Sequence, residues 1–234
     1  MPRAPLQLLG LPAASEPVET GRLAYVIDDE REVRLSLSFM LTTFGIAGTP
    51  FAAAEDFMEA LPGLRPGCVI VDMRMPGKDG ITMLAEMAAA GFRWPAIVIT
   101  GHSDVPTAVR AMKLGAIEFL AKPFDERELL AALERGFQQL SQANAEENAA
   151  RTARLALSRL TPRERDVLQG VVDGLANREI AARFGLSPRT VEMHRANMMR
   201  RSGASSVVEL ISIAHAAGIR NLAGGALGAS KPAN

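Results

Sequence analysis

Residues 68–72 read CVIVD, four apolar residues closed by a carboxylate. A short apolar run ending in this way reads as a strand buried on both faces, and such strands belong to parallel sheets covered by helices on either side. Three other runs repeat the pattern: AYVIDD at 24–29, AIVIT at 96–100 and IEFLAK at 117–122. In open α/β sheets chemistry collects beyond the carboxyl ends of the strands. The four ends here carry an acidic pair, Asp28 and Asp29, a lone acid, Asp72, a hydroxyl, Thr100, and an amine, Lys122.

Working outward, strands are expected over 22–27, 46–49, 67–72, 95–100 and 116–120. Amphipathic helices are expected between them, over 31–44, 53–61, 80–90, 104–114 and 125–140. Five alternating units predict an α/β domain over 22–140, a five-stranded doubly wound parallel sheet. The second strand is the weakest, and Gly48 within it suits an edge position. Leu35, Phe39, Met40, Leu41 and Phe44 recur as one face of the first helix; Leu129, Leu133, Phe137 and Leu140 do so in the last.

Apolar periodicity then fades. The stretch 141–158 is rich in Ala, Glu and Arg and free of Gly and Pro, which predicts a solvated helical linker. From 159 to 219 the texture changes to four short helices, over 162–173, 177–184, 188–202 and 205–217, with no strand signal. Thr161, Pro162 and Glu164 form a capping signature at the first of them. Residues 177–196, NREIAARFGLSPRTVEMHRA, have the punctuation of a helix-turn-helix: Ile180 and Ala181 inward, Gly185 at the turn, Leu186 beneath it and Ser187 as a cap. Val191, His194 and Met198 mark the buried stripe of its second helix. The opposite face presents Arg189, Glu192, Met193, Arg195, Ala196 and Asn197, which suits a major groove. The stretches 1–21 and 220–234 read as a flexible extension and tail.

The formal net charge of the 234 residues is zero, but it is unevenly spread. Residues 1–140 hold 13 basic against 18 acidic side chains, a net of −5, and residues 141–234 hold 13 against 8, a net of +5. An acidic front and a basic rear point to two domains with different partners, the second nucleic acid. The single cysteine, Cys68, excludes an internal disulfide and reads as a core residue. No run reaches membrane-span length, and a cytoplasmic protein is expected.

Three carboxylates in one crevice repel each other unless a cation offsets them, and Mg²⁺ suits an all-oxygen set that must also admit a phosphate. One carboxylate can then take a phosphoryl group, Lys122 can pair with it, and Thr100 can donate to it. A single strand-end aspartate is as readily a helix cap; four polar strand ends in order are not.

Residues 22–140 resemble bacterial response-regulator receiver domains. The resemblance rests on VIDDE at 26–30, VDMRMPGKDG at 71–80, ITGH at 99–102 and FLAKP at 119–123. It implies a flavodoxin-like fold in which Asp72 accepts phosphate from a sensor histidine kinase. It implies that Asp28, Asp29, Asp72 and the carbonyl of Arg74 hold Mg²⁺, that Lys122 contacts the phosphoryl group, and that Lys122-Pro123 is cis. Thr100 and Phe119 match the switch pair: phosphorylation draws Thr100 inward, Phe119 rotates into the vacated space, and the surface of 104–120 changes. Ordinary core is the competing reading for Phe119, and its place three residues before Lys122 favours the switching role. Gly101 and His102 line the rim, His102 governing water access.

Residues 159–219 resemble the LuxR-type DNA-binding domain, through LTPRERDVL and GLANREIAARFGLSPRTVEMHRANMMRR. Together the halves resemble a NarL/FixJ-type response regulator, the FixJ branch nearest. By position, Arg189, Thr190, Glu192, Met193, Arg195, Ala196 and Asn197 fall in the DNA-contacting region. Several relatives carry lysine in place of Glu192 and a basic residue near Ala196; Glu192 either accepts from a cytosine amino group or sits beside the groove. The last helix, with Val207, Val208, Leu210, Ile211 and Ile213, implies a dimer contact. The implied protein is a transcription regulator and not an enzyme. Its implied partners are a cognate kinase, promoter DNA, RNA polymerase and, on phosphorylation, a second copy. The alternatives are a receiver acting as a phosphate sink and a rear domain that binds protein instead of DNA.

Overall fold

The computed structural model describes residues 21–101 and 105–222. The expected extension up to Thr20, His102 at the rim, and the tail from residue 223 lie outside the described residues. The chain divides into two compact units, one ending at Ser141 and the other beginning at Gln142.

In the first unit, strands β1 (Leu23–Ile27), β2 (Ala47–Phe51), β3 (Cys68–Asp72), β4 (Ala96–Thr100) and β5 (Ala116–Ala121) form one sheet in the order β2-β1-β3-β4-β5. Every pairing is parallel. Helices α1 (Arg31–Thr43), α2 (Ala54–Ala60), α3 (Gly80–Ala89) and α4 (Val105–Lys113) follow the first four strands, and α5 (Glu126–Ser158) follows the fifth. Residue alternation divides the sheet into two faces. Tyr25, Ile27, Val69, Val71 and Val98 pack with Phe57, Leu84 and Ala111 on one side. Ala24, Val26, Cys68, Ile70, Ile97 and Ile99 pack with Leu41, Leu129 and Leu133 on the other. Burial on both faces is why the central strands are apolar without interruption. Burial also pushes the Cys68 thiol up to about 12, with Arg22 opposing weakly, so it is an inert core group.

β2 is an edge strand and carries Pro50, whose missing N–H an edge tolerates. The packed face of α1 differs from the expected one. Leu37 and Leu41 are buried, whereas Leu35 (54%), Phe39 (77%) and Phe44 (47%) are exposed. Apolar residues occur at nearly every second position from Val33 to Leu41, so several stripes compete. The approach of α1 to β2, where Leu41 lies against Gly48, selects the 37/41 stripe.

The second unit is helical: after the last turns of α5 come α6 (Pro162–Val172), α7 (Asn177–Phe184), α8 (Pro188–Ser202) and α9 (Val207–Ala216). Its core joins Leu157, Val167, Leu168, Ile180, Val191, Met198 and Leu210. Thr161 and Glu164 close a reciprocal capping box at α6, the Glu164 carboxylate accepting from the Thr161 N–H at 2.8 Å. At α7 only half of that device exists: Glu179 accepts from the Ala176 N–H at 2.6 Å, and alanine has no side-chain acceptor to return. The apolar surplus expected on α9 shrinks to two residues. Leu210 is buried and Ile211 and Ile213 pack on the core, which leaves Val207 (38%) and Val208 (77%) exposed.

Candidate functional site

The chain after β1 turns to β2 on one side, and the chain after β2 returns to β3 on the other, so the strand order reverses between β1 and β3. Their connections diverge at the carboxyl ends and leave a crevice there. Asp28 follows β1 and Asp72 ends β3, both almost fully buried. Thr100, the last residue of β4, is buried too. The ladder runs just past the strands: the Met73 N–H donates to Ile99 O (2.9 Å) and the Lys122 N–H to Thr100 O (2.7 Å). This places Lys122 opposite Thr100, with Lys122-Pro123 cis.

The Lys122 ammonium donates to Asp28 Oδ2 (2.9 Å) and to Asp72 Oδ1 (2.7 Å). The other Asp72 oxygen accepts from the Arg74 N–H at 2.6 Å, and Asp28 Oδ1 accepts from the Glu30 N–H at 2.8 Å. Burial disfavours the Lys122 charge, but the hydrogen bonds to Asp72 and Asp28 outweigh it and hold the amine above its ordinary range. The β4–β5 register brings Lys122 between the two carboxylates, where its single positive charge offsets one of their two negative charges and leaves the pair net anionic, as a cation site requires.

Asp29, next to Asp28 in the chain, is exposed. Among the described residues no three His, Cys, Asp or Glu side chains are gathered as a metal-holding group. The donors that do converge are hard oxygens already directed at one positive charge, which fits a Mg²⁺ ion. Phe119 on β5 is half-buried against the α2–α3–α4 face. Gly101 is exposed at the end of β4.

Two supporting residues carry no motif signal. Arg34, one turn into α1, donates to the carbonyl of Asp28 at 2.5 Å. Glu55 on α2 accepts from the Lys78 N–H at 2.9 Å and holds the loop that contains Arg74. Gly80, by contrast, belongs to a motif and has a plain reason. A Cβ there would lie 2.5 Å from the Asp72 carbonyl oxygen, so only glycine lets α3 start this close to the acid.

In the second unit Gly185 ends α7 in the left-handed conformation (φ 65°), and Ser187 caps α8 by accepting from the Thr190 N–H at 3.1 Å. Val191 and Met198 anchor α8 in the core, and His194 is half-buried. Arg189, Glu192, Met193 and Ala196 are exposed. Thr190, Arg195 and Asn197 are half-buried and engaged internally. The Thr190 hydroxyl meets Ser187 Oγ at 2.7 Å, Arg195 donates to Asn177 Oδ1 at 3.2 Å, and Asn197 Oδ1 accepts from Arg200 at 2.9 Å. Asn177, the first residue of α7, was not singled out from sequence; a polar residue opening the first helix of the pair was its only signal. Arg201 anchors the far end of α8 on buried Glu164 (3.4 Å).

Residues 24–134 match the response regulator receiver domain family and residues 158–214 the family of bacterial regulatory proteins, luxR family. The chain is 46% identical to the transcriptional regulatory protein FixJ of Bradyrhizobium diazoefficiens, over 84% of this chain and 96% of that protein. Among solved structures, response regulator StyR superposes with a TM-score of 0.72 at 37% identity, covering 83% of this chain and 98% of that one. Full-length FixJ from B. japonicum superposes with a TM-score of 0.53 at 45% identity, covering 86% and 98%.

Proposed function

The chain belongs to the response regulators that join a receiver to a LuxR-type DNA-binding domain, the family of FixJ, and from that premise we propose that phosphorylation of Asp72 governs its binding to promoter DNA. Members of this family regulate transcription and are not enzymes. The observation that carries the proposal is the convergence of buried Asp72 and Asp28 on the Lys122 ammonium at the switch point of the sheet.

The donor is a phosphohistidine of a cognate sensor kinase. An Asp72 oxygen attacks phosphorus, the P–N bond breaks, and an acyl phosphate forms. Asp28, Asp29, Asp72 and the Arg74 carbonyl would hold Mg²⁺, which when bound offsets the charge of the incoming phosphoryl group. Lys122 then trades its Asp72 oxygen for a phosphoryl oxygen, and the Thr100 hydroxyl donates to another. Phe119 follows Thr100 inward and reshapes the surface of α4 and β5. Exposed Val105, Val109 and Met112 on α4 suit that surface to pairing with a second copy. Two linked α8 helices on adjacent half-sites bind by avidity, without any new DNA contact. The bound dimer meets RNA polymerase at the promoter, in the cytoplasm. Among the described residues no helix is long and apolar enough to cross a membrane.

The test pairs wild type with Asp72→Asn, each incubated with acetyl phosphate and Mg²⁺. Wild type is expected to gain a labile adduct by mass spectrometry, to dimerise, and to bind its promoter with an affinity that falls steeply with salt. An Asp72→Asn protein that still responds fully would overturn the proposal.

A further inference from the structure

The exposed face of α8 carries a carboxylate where a helix meeting a polyanion has most reason to avoid one. Glu192 lies one turn after Arg189 and one turn before Ala196, beside Met193, and all four are exposed. Val191 and Met198, fully buried, fix which way this face points. Three of the other polar side chains assigned to the groove face are already engaged: Thr190 in the helix cap, Arg195 on Asn177, and Asn197 on Arg200. Among the described residues Glu192 and Arg189 have no such partner. They are the charged groups in the N-terminal half of α8 left for DNA, and that half is the part of a recognition helix that reaches base edges.

A carboxylate accepts hydrogen bonds and donates none. On the floor of the major groove the donors are the N4 amino group of cytosine and the N6 amino group of adenine. Adenine sets its N7 lone pair beside the amino group, which repels a carboxylate; cytosine sets a C–H there. Opposite every other edge the carboxylate loses its water and meets acceptors, a loss with no return. Resting on the reading that this chain binds DNA through α8, we propose that Glu192 is its specificity-determining residue, selecting cytosine at one position of each half-site. Thr190 and Arg195 are positioning residues that hold α8 in place for that contact.

The test is selection from a random duplex library, followed by titration of the selected site. Full-length wild type, Glu192→Ala and Glu192→Gln are compared at one fixed salt concentration, each activated with beryllofluoride. Wild type is expected to enrich one cytosine per half-site and to lose roughly 10- to 100-fold in affinity when it is replaced by thymine or guanine. 5-Methylcytosine, which keeps the amino group, is expected to be accepted. Glu192→Ala should lose preference at that position alone, and Glu192→Gln should shift it toward adenine, whose N6 and N7 match an amide. If Glu192→Ala binds every sequence more tightly by one common factor and selects an unchanged motif, the carboxylate only repels phosphates and the proposal fails. If wild type enriches no sequence and shows no salt-dependent DNA binding, the parent reading fails with it.

Discussion

Lys122 and Asp173 bind their protons in opposite senses, and each sets a different limb of the stability–pH curve. The folded Lys122 amine is held above its unfolded value of about 10.4, so its contribution is complete below that pH and is lost as pH rises through the folded value. Lys122→Met should destabilise the first unit by about 1–3 kcal/mol in metal-free buffer, because two buried carboxylates then face each other. Added Mg²⁺ should raise the melting temperature of that variant more than that of wild type; equal shifts would argue against a cation site at Asp28 and Asp72. Asp173, on the other unit, is disfavoured as an anion by burial. Hydrogen bonds from the Leu222 N–H, Arg183 and Gln169 outweigh this and hold it below the usual carboxylate range. Its contribution is present above about pH 3.9 and is lost as pH falls through the folded value, so Asp173→Asn should flatten the acid limb of the second unit's melting curve. Gly80→Ala drives a methyl group against the Asp72 carbonyl. It should cost about 1–3 kcal/mol by urea denaturation. That Asp28, Asp72 and Lys122 come together was legible in the pattern, because each lies at the carboxyl end of a strand and parallel strands end together. Which member of the adjacent pair is buried was not legible, since both follow the same apolar run; Asp28 is buried and Asp29 exposed.

The ends of α6, α7 and α8 were read well from local residues, because a cap is made by groups three positions apart. By contrast α5, expected to stop at 140, runs on without a break to Ser158, because nothing in 141–158 interrupts a helix. Thr161→Ala removes the hydroxyl that accepts from the Glu164 N–H and should lower the second unit's stability by about 1 kcal/mol. Helix faces were read less well. On α1 the apolar residues fit several stripes, and the neighbour decided; on α9 three of five apolar residues went to the unit's own core. In α5 the residues from Ser141 to Ala149 are exposed on every side, so that stretch depends on propensity and i,i+4 contacts such as Gln142 to Glu146 (2.7 Å). Its amides should exchange hydrogen faster than those of 129–137, which pack on the sheet; uniform protection along α5 would contradict this.

Across the whole molecule, the sheet's two core clusters draw on residues up to Leu140 and the helical core begins at Leu157. Because each unit has a core of its own, calorimetry should resolve two transitions, and a fragment starting at Gln142 should melt with one of them; a single transition lost on cutting would refute independent units. The opposite charge of the two halves agrees with their separate tasks. Composition, periodicity and capping residues were enough to establish the strand count, the parallel sheet, the helix-turn-helix and the crevice where acids and amine meet, because all of these follow from short-range spacing. It took the folded chain to bring Lys122 between Asp28 and Asp72, to turn Leu37 and Leu41 inward, and to tie Arg195 to Asn177 while leaving Glu192 free. Those outcomes depend on which distant group arrives within about 3 Å, the reach of a hydrogen bond, and no local pattern encodes that arrival.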